Sequence, residues 1–225
     1  MVNFKSNIHA VIYDMDGILI NSEPLWQIAQ IETFVELGFN FTHEMCEQTV
    51  GWRVDEVISY WTTRFNYTLH TNEYIVGVLL DKLKVFIAND GKAMEGVYGS
   101  LDFFKTKKIP MAIATSSPIS IMHQVVETLN ISSYFNYLCS AQHESNGKPH
   151  PAVFLAASNL LQVNPINCLV IEDSLNGVIA AKAARMKCIA IPEPHNFRNP
   201  KFIIADIIAN SLANIDDELW DKLNC

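Results

Sequence analysis

The sequence is short of several things, and each shortage argues against a class of function. Positive charge is scarce: 16 basic residues against 24 acidic ones leave a net charge of −8. No run of lysines or arginines is present to neutralise a nucleic-acid backbone, so no nucleic acid is expected as a partner. No stretch approaches the ~18 apolar residues of a membrane span, and no signal-peptide pattern is present. Cysteine is sparse. Cys46, Cys139, Cys168, Cys188 and Cys225 are odd in number and widely spaced, and they form no C-x-x-C. That usage predicts reduced, buried thiols in a cytoplasmic protein, and nothing marks Cys225 as reactive. The histidines form no H-x-x-x-H pair, and His43-Glu44 lacks the partner that a zinc site of that kind requires. Internal repeats, low-complexity tracts and any interface signal are also lacking, so a monomer is the default. What remains is 225 residues, 49% of them hydrophobic and 18% charged. That suffices for one large domain, or for a core with a smaller domain attached.

The stretch that organises the chain is Ile8-His-Ala-Val-Ile-Tyr-Asp14-Met-Asp16-Gly17. Ala10 to Tyr13 is apolar, rich in β-branched residues and bounded by a turn signal, which predicts a buried strand. The two aspartates then sit at the carboxyl edge of a sheet, where open α/β sheets bind ligands. Carboxylates this close repel one another, and a cation or a shared proton relieves the repulsion.

After Gly17 a loop leads to a helix that Pro24 opens, with Ser22 as its cap, and that Gly38 stops. Further helices are expected over 42–48, 54–65 and 71–88, with no convincing strand among them and an exit hinge at Asn89-Asp90-Gly91. Beyond Gly91 the elements alternate: a helix over 97–107, a strand over 110–114, a helix capped by Ser117, and a short strand over 137–139. A helix over 152–161, a strand over 168–171, a helix over 174–185 and a strand over 188–191 follow. A last strand near 206–208 and a helix over 216–223 close the chain. This order predicts an α/β fold, a doubly wound parallel-sheet, Rossmann-like core with an all-helical cap domain inserted after the first strand. The core takes residues 1–20 and 90–225, and the cap takes 21–89. Because the insertion leaves from the edge that carries Asp14 and Asp16, it is placed to cover that edge.

Several strands end on polar residues. Thr115-Ser116-Ser117 follow one strand at a helix start, where hydroxyls and backbone N–H groups suit an anion or serve as a cap. Glu172-Asp173-Ser174 follow another, and Gly147-Lys148-Pro149 precede a helix. Singly these are ordinary turns and caps. In a parallel sheet, however, the carboxyl ends share one edge, so Asp14, Asp16, Thr115, Glu172 and Asp173 converge with Lys148 nearby. Clustered carboxylates invite an oxygen-ligated cation, and Mg2+ is the usual partner of carboxylates plus a substrate phosphate. A carboxylate nucleophile, an acid/base and a metal make a phosphoryl-transfer site.

Asp14-Met-Asp16-Gly17, Thr115-Ser116, Lys148-Pro149 and Glu172-Asp173-Ser174 stand in the order and spacing of the four signatures of the haloacid dehalogenase-like hydrolases, which this chain resembles from about Ile8 to about Asp206. Within that superfamily it resembles the sugar-phosphate phosphatase and β-phosphoglucomutase branch. Asn21-Ser-Glu-Pro-Leu-Trp26, Gly51-Trp52-Arg53 and Lys182-Ala-Ala-Arg-Met186 look most like the 2-deoxyglucose-6-phosphate (hexitol-phosphate) phosphatases. The resemblance implies a Mg2+-dependent phosphatase acting on a small sugar phosphate. Asp14 is then the nucleophile that becomes an aspartyl-phosphate, and Asp16 the acid/base. Thr115 and the backbone of Ser116 hold the phosphoryl oxygens, and Lys148 offsets their charge. Asp14, the backbone carbonyl of Asp16, and Asp173 hold the metal, with Glu172 a ligand directly or through water. Gly51 and Arg53 face the substrate from the cap, with Trp52 beside them. The chain departs from the pattern at Ile18, at Asn21 in place of a common aspartate, and at Trp26, where β-phosphoglucomutases carry a cap histidine. The last change favours a phosphatase over a mutase. A non-catalytic metabolite sensor is the remaining alternative, and the intact set of Asp14, Asp16, Lys148 and Asp173 argues against it. A dehalogenase would need neither Asp16 nor a metal.

Overall fold

The structure is a computed structural model that describes residues 7–194 and 196–224; Cys225, read above as an unremarkable thiol, lies outside them. A six-stranded parallel sheet forms its centre, from β1 (Ala10–Tyr13), β2 (Met111–Thr115), β3 (Tyr137–Ser140), β4 (Cys168–Glu172), β5 (Lys187–Ala190) and β6 (Ile207–Ile208). The spatial order is β3-β2-β1-β4-β5-β6. Chain order reverses across β1 and β4, which makes their carboxyl ends the switch point where such sheets bind ligands. Registers of Tyr13 with Ile113 and of Tyr13 with Ile171 bring the ends of β1, β2 and β4 level.

β1, β2 and β4 are buried on both faces, which is why they read as continuous apolar runs rather than alternating ones. One face carries Val11, Tyr13, Ile113, Leu169 and Ile171, packed with α5 (Val97–Thr106) and α6 (Ile119–Thr128). The other carries Ala10, Ile12, Ala112, Ala114 and Val170, packed with α7 (Ala152–Leu161) and α8 (Leu175–Ala183). The small side chains of that second face let α7 and α8 approach closely, so the start of α8 lies against the end of β4. The C-terminal helix, α9 (Asp217–Asn224), packs Leu223 into the first face.

Between β1 and α5 come α1 (Glu23–Glu36), α2 (His43–Glu47), α3 (Val54–Arg64) and α4 (Asn72–Asp90), and no strand. An aromatic cluster holds them together: Phe34 stacks on Phe41 at 4.4 Å and Phe39 on Phe65 at 4.2 Å, with Trp61 edge-on to Phe41. The chain's two crossings to this bundle lie side by side, since Asn21 N–H donates to Lys92 O and Met94 N–H to Leu19 O. The helix expected to end at Ala88 runs on to Asp90, so the exit turn begins at Gly91 rather than Asn89. Among the described residues no helix is long and apolar enough to cross a membrane. Cys46, Cys139, Cys168 and Cys188 are free and buried, as their spacing suggests.

Candidate active site

Asp14 is the first residue past β1, and its N–H donates to Ile171 O, which fixes it between β1 and β4. Lys148 arrives from the loop before α7. Its Nζ donates to Asp14 Oδ1 at 2.7 Å, to Glu172 Oε1 at 2.6 Å and to Ala114 O at 3.3 Å, and it lies 4.7 Å above the Phe154 ring. Glu172 ends β4 in full burial, and its second oxygen accepts the N–H and hydroxyl of Ser174 at 2.8 and 3.0 Å. Asp173 follows, half-buried, and carboxylate oxygens of Asp14, Glu172 and Asp173 lie within 4.8 Å of one another. This hard-oxygen set fits a divalent cation such as Mg2+. Glu172 already has both oxygens engaged, so Asp14 and Asp173 suit direct contact and Glu172 contact through water.

Burial pushes the Asp14 carboxyl from its ordinary 3.8 to about 7; Lys148 opposes that rise, and Glu172 and Asp16 add to it. Asp173 is pushed well above the carboxylate range by burial, then by Glu172 and Asp14. Burial works to lower Lys148, but Asp14 and Glu172 outweigh it and hold the ammonium charged. A carboxyl raised in the folded state binds its proton more tightly there than in the unfolded chain. Between its unfolded and folded values, stability therefore falls as pH rises. In EDTA, the melting temperature of the wild type relative to Asp14→Asn is expected to fall between about pH 4 and pH 7. Mg2+ should raise the wild-type melting temperature more at the upper end of that range than at the lower. A flat difference across the range would contradict these environments.

Asp16 has different company. Ser22 Oγ donates to its Oδ1 at 2.5 Å and Trp26 Nε1 at 3.2 Å; Ser117 Oγ donates to its Oδ2 at 2.6 Å, with Thr115 Oγ1 farther off at 3.4 Å. Two readings from sequence change here. Ser22 and Ser117 were expected as helix caps, yet neither side chain makes a capping bond, and Pro118 takes the N-cap position of α6. Donation of a hydroxyl proton to a carboxylate makes a charge-assisted hydrogen bond, and both serines turn to Asp16. Thr115 Oγ1 also accepts the Ser117 N–H at 3.0 Å, which shapes the turn after β2.

Two glycines leave room for these carboxylates. Gly17 has φ +75°, and a Cβ on it would overlap Asp173 Oδ2; a Cβ on Gly177, in the first turn of α8, would overlap the Glu172 carboxylate. Gly177→Ala is expected to displace Glu172, costing about 1–3 kcal/mol by overpacking. The phosphate-monoester hydrolysis that the resemblance implies should fall with it while helix content stays. Urea unfolding with a parallel phosphate-release assay checks this, and unchanged values for both would contradict the packing.

The site opens into a cavity of about 180 Å³ between the sheet edge and the helical insertion. Asp14, Asp16, Thr115, Ser116, Lys148, Glu172 and Asp173 line its floor, and Gly51 and Trp52 line its insertion side. Trp52 is exposed and rests edge-on against Tyr60 at 5.6 Å, whereas Trp61 is core. Arg53 differs from its expected position facing the substrate. It does not line this cavity: its Nε and Nη2 pair with Asp55 and its Nη1 donates to Glu144 O at 3.1 Å, tying the insertion to the loop before Lys148. Several lining residues carried no expectation, namely Glu23, Gln30, Asn176, Glu193 and Asn196. Glu193 was within reach of the rule used for the others, since it follows the end of β5.

The comparisons agree with this architecture. A family model described as "Haloacid dehalogenase-like hydrolase" matches residues 11–191. The chain is 32% identical over 209 residues to "Hexitol phosphatase B" of Escherichia coli, covering 92% of this chain and 94% of that protein. It is 27% identical over 213 residues to a "Probable pseudouridine-5'-phosphatase" of Drosophila melanogaster, covering 92% and 91%. A solved β-phosphoglucomutase from Clostridium difficile shares the fold at a TM-score of 0.82 and 23% identity, over 96% of this chain and 97% of that one.

Proposed function

This enzyme belongs to the haloacid dehalogenase-like hydrolase family, and on that premise we propose that it is a Mg2+-dependent phosphomonoester hydrolase acting on a small sugar phosphate. Hexose and hexitol phosphates, 2-deoxyglucose 6-phosphate among them, are the substrate class. The observation that carries the proposal is the division between two carboxylates of one loop. Asp14 sits among Lys148, Glu172 and Asp173, while Asp16, two residues on, is held by hydroxyls and an indole. Such a split assigns a nucleophile and an acid/base.

In this reading an Asp14 oxygen attacks phosphorus, the P–O bond to the sugar breaks, and Asp16 gives its proton to the leaving oxygen. Water then attacks the phosphorus of the aspartyl-phosphate, Asp16 takes its proton, and the Asp14–P bond breaks to release phosphate. Lys148 balances charge at Asp14, and Thr115 with the Ser116 backbone orients the phosphoryl oxygens. Asp14, Asp173 and the Asp16 carbonyl would hold Mg2+, with Glu172 through water, and the cation would supply charge neutralisation for the phosphoryl group. The helical segment 21–89 is the cap that closes over the edge and excludes bulk water, with Gly51 and Trp52 at the mouth. The enzyme works as a cytoplasmic monomer on a diffusible substrate. The test is phosphate release from a panel of hexose and hexitol phosphates with Mg2+ and with EDTA, alongside product analysis on a hexose 1-phosphate. Metal-dependent free phosphate supports the hydrolase. Isomerised sugar phosphate without free phosphate would instead identify a mutase, and binding without turnover a sensor.

A further inference from the structure

We propose that Gln30 selects the substrate by hydrogen-bonding a hydroxyl about four carbons from the phosphate, so that chains longer than three carbons are favoured. The inference rests on the phosphatase reading and adds the length and polarity of the group being hydrolysed. Gln30 is buried in α1, lines the insertion side of the cavity, and its Oε1 has no hydrogen-bond partner. Among the described residues only one other buried side-chain polar atom is unpartnered, Trp61 Nε1, and it lies in the aromatic core rather than at the cavity. Buried polar groups are nearly always paired in a working protein, so an orphan at a cavity wall points to a ligand group that pairs with it.

The surroundings sharpen the choice. Val54, Val57 and Leu79 add apolar surface to the cavity wall. Thr49, another polar residue of the wall, donates its hydroxyl to Cys46 O at 3.3 Å. Gln30 thus brings an amide with an unpartnered oxygen to the wall, able to fix the orientation of a ligand. Its terminal torsion is soft, so the amide presents either its carbonyl or its N–H to the cavity, and a hydroxyl satisfies both.

Position sets the length. Gln30 stands one helical turn beyond Trp26, whose indole N–H touches Asp16. Four residues of helix advance about 6 Å. An extended chain advances about 3.5 Å per three bonds, so about five bonds separate the leaving oxygen beside Asp16 from a group beside Gln30. Counting from that oxygen, five bonds end at the hydroxyl of the fourth carbon. Glycerol 3-phosphate has no such hydroxyl; a pentitol or hexitol phosphate has.

Gln30→Met keeps the side-chain length and removes the amide. Since it takes away an unpaired buried polar group, the variant is expected to unfold at or above the wild-type temperature. Its kcat/KM for sorbitol 6-phosphate should fall by about tenfold or more, while that for glycerol 3-phosphate stays unchanged. Gln30→Glu, which keeps an acceptor, should recover part of the loss. An equal fall on both substrates, or no fall on sorbitol 6-phosphate, overturns the assignment. So does a wild type that hydrolyses glycerol 3-phosphate and ignores sorbitol 6-phosphate. If the wild type releases phosphate from neither, the phosphatase reading itself fails and takes this inference with it.

Discussion

Asp14→Asn is expected to lower phosphate release by about 10⁴-fold or more, the scale seen when a covalent nucleophile is removed and the rest of a site remains. The amide keeps the shape of the carboxylate, and its carbonyl can still accept from Lys148 Nζ, which sits 2.7 Å from Asp14 Oδ1. It cannot form the bond to phosphorus. Stability should move the other way. Asp14 is buried with two further carboxylates, and its carboxyl is already pushed up to about 7. A neutral residue of the same size relieves that repulsion, so in EDTA the variant should melt at or above the wild-type temperature near neutral pH. An inactive variant that is also less stable would mean that Asp14 serves the fold. An active one would remove it from the chemistry.

Lys148→Met is expected to be the most destabilising substitution at the site. The ammonium is buried and bridges Asp14 and Glu172 at 2.7 and 2.6 Å. Removing one partner of a buried ion pair leaves uncompensated charge, at a cost of about 3–5 kcal/mol. Here the residue lost is the cation that Asp14 and Glu172 share, with Asp173 close by. Urea unfolding in EDTA at neutral pH measures the loss. A second substitution tests its cause: adding Glu172→Gln to Lys148→Met should restore part of the stability, because one of the stranded charges is then gone. Mg2+ should restore a further part by binding the folded form. Activity of Lys148→Met should fall by about 10²–10³-fold even under conditions where the protein is folded, as charge balance at the reacting group is lost. A Lys148→Met protein of wild-type stability would show that the carboxylates are neutral in the native state.

The strands that carry the site were legible because they are buried on both faces and end on polar residues. β1 was bounded correctly, β4 runs one residue further onto Glu172, and β2 is shifted by one residue so that it ends on Thr115. The later ends have a reason: the side chains that work at the edge are the last residues of these strands themselves. The convergence of Asp14, Lys148, Glu172 and Asp173 followed from topology alone, since parallel strands share a carboxyl edge. The company of Asp16 did not. Ser117 and Ser22 stand where caps stand, and nothing in a linear pattern says that a hydroxyl 101 residues away turns to a carboxylate instead. Trp26 was legible only as the absence of a histidine; its indole donor to Asp16 required the position of α1. Gln30 gave no signal, because a glutamine on a helix is unremarkable until its neighbours are known to leave it unpaired. Arg53 was read from its place beside Gly51-Trp52, but the turn sends those neighbours into the cavity and the guanidinium to the Glu144 carbonyl.

The central claim is that Asp14 carries the phosphoryl group between sugar and water. Rapid mixing of the enzyme with hexitol phosphate bearing a radiolabelled phosphate, followed by an acid quench, tests it most directly. The account predicts a hydroxylamine-labile label on the protein within the first turnover, mapped to the peptide containing Asp14 and lost in Asp14→Asn. Phosphate released with no labelled protein, or a label that maps elsewhere, would contradict it.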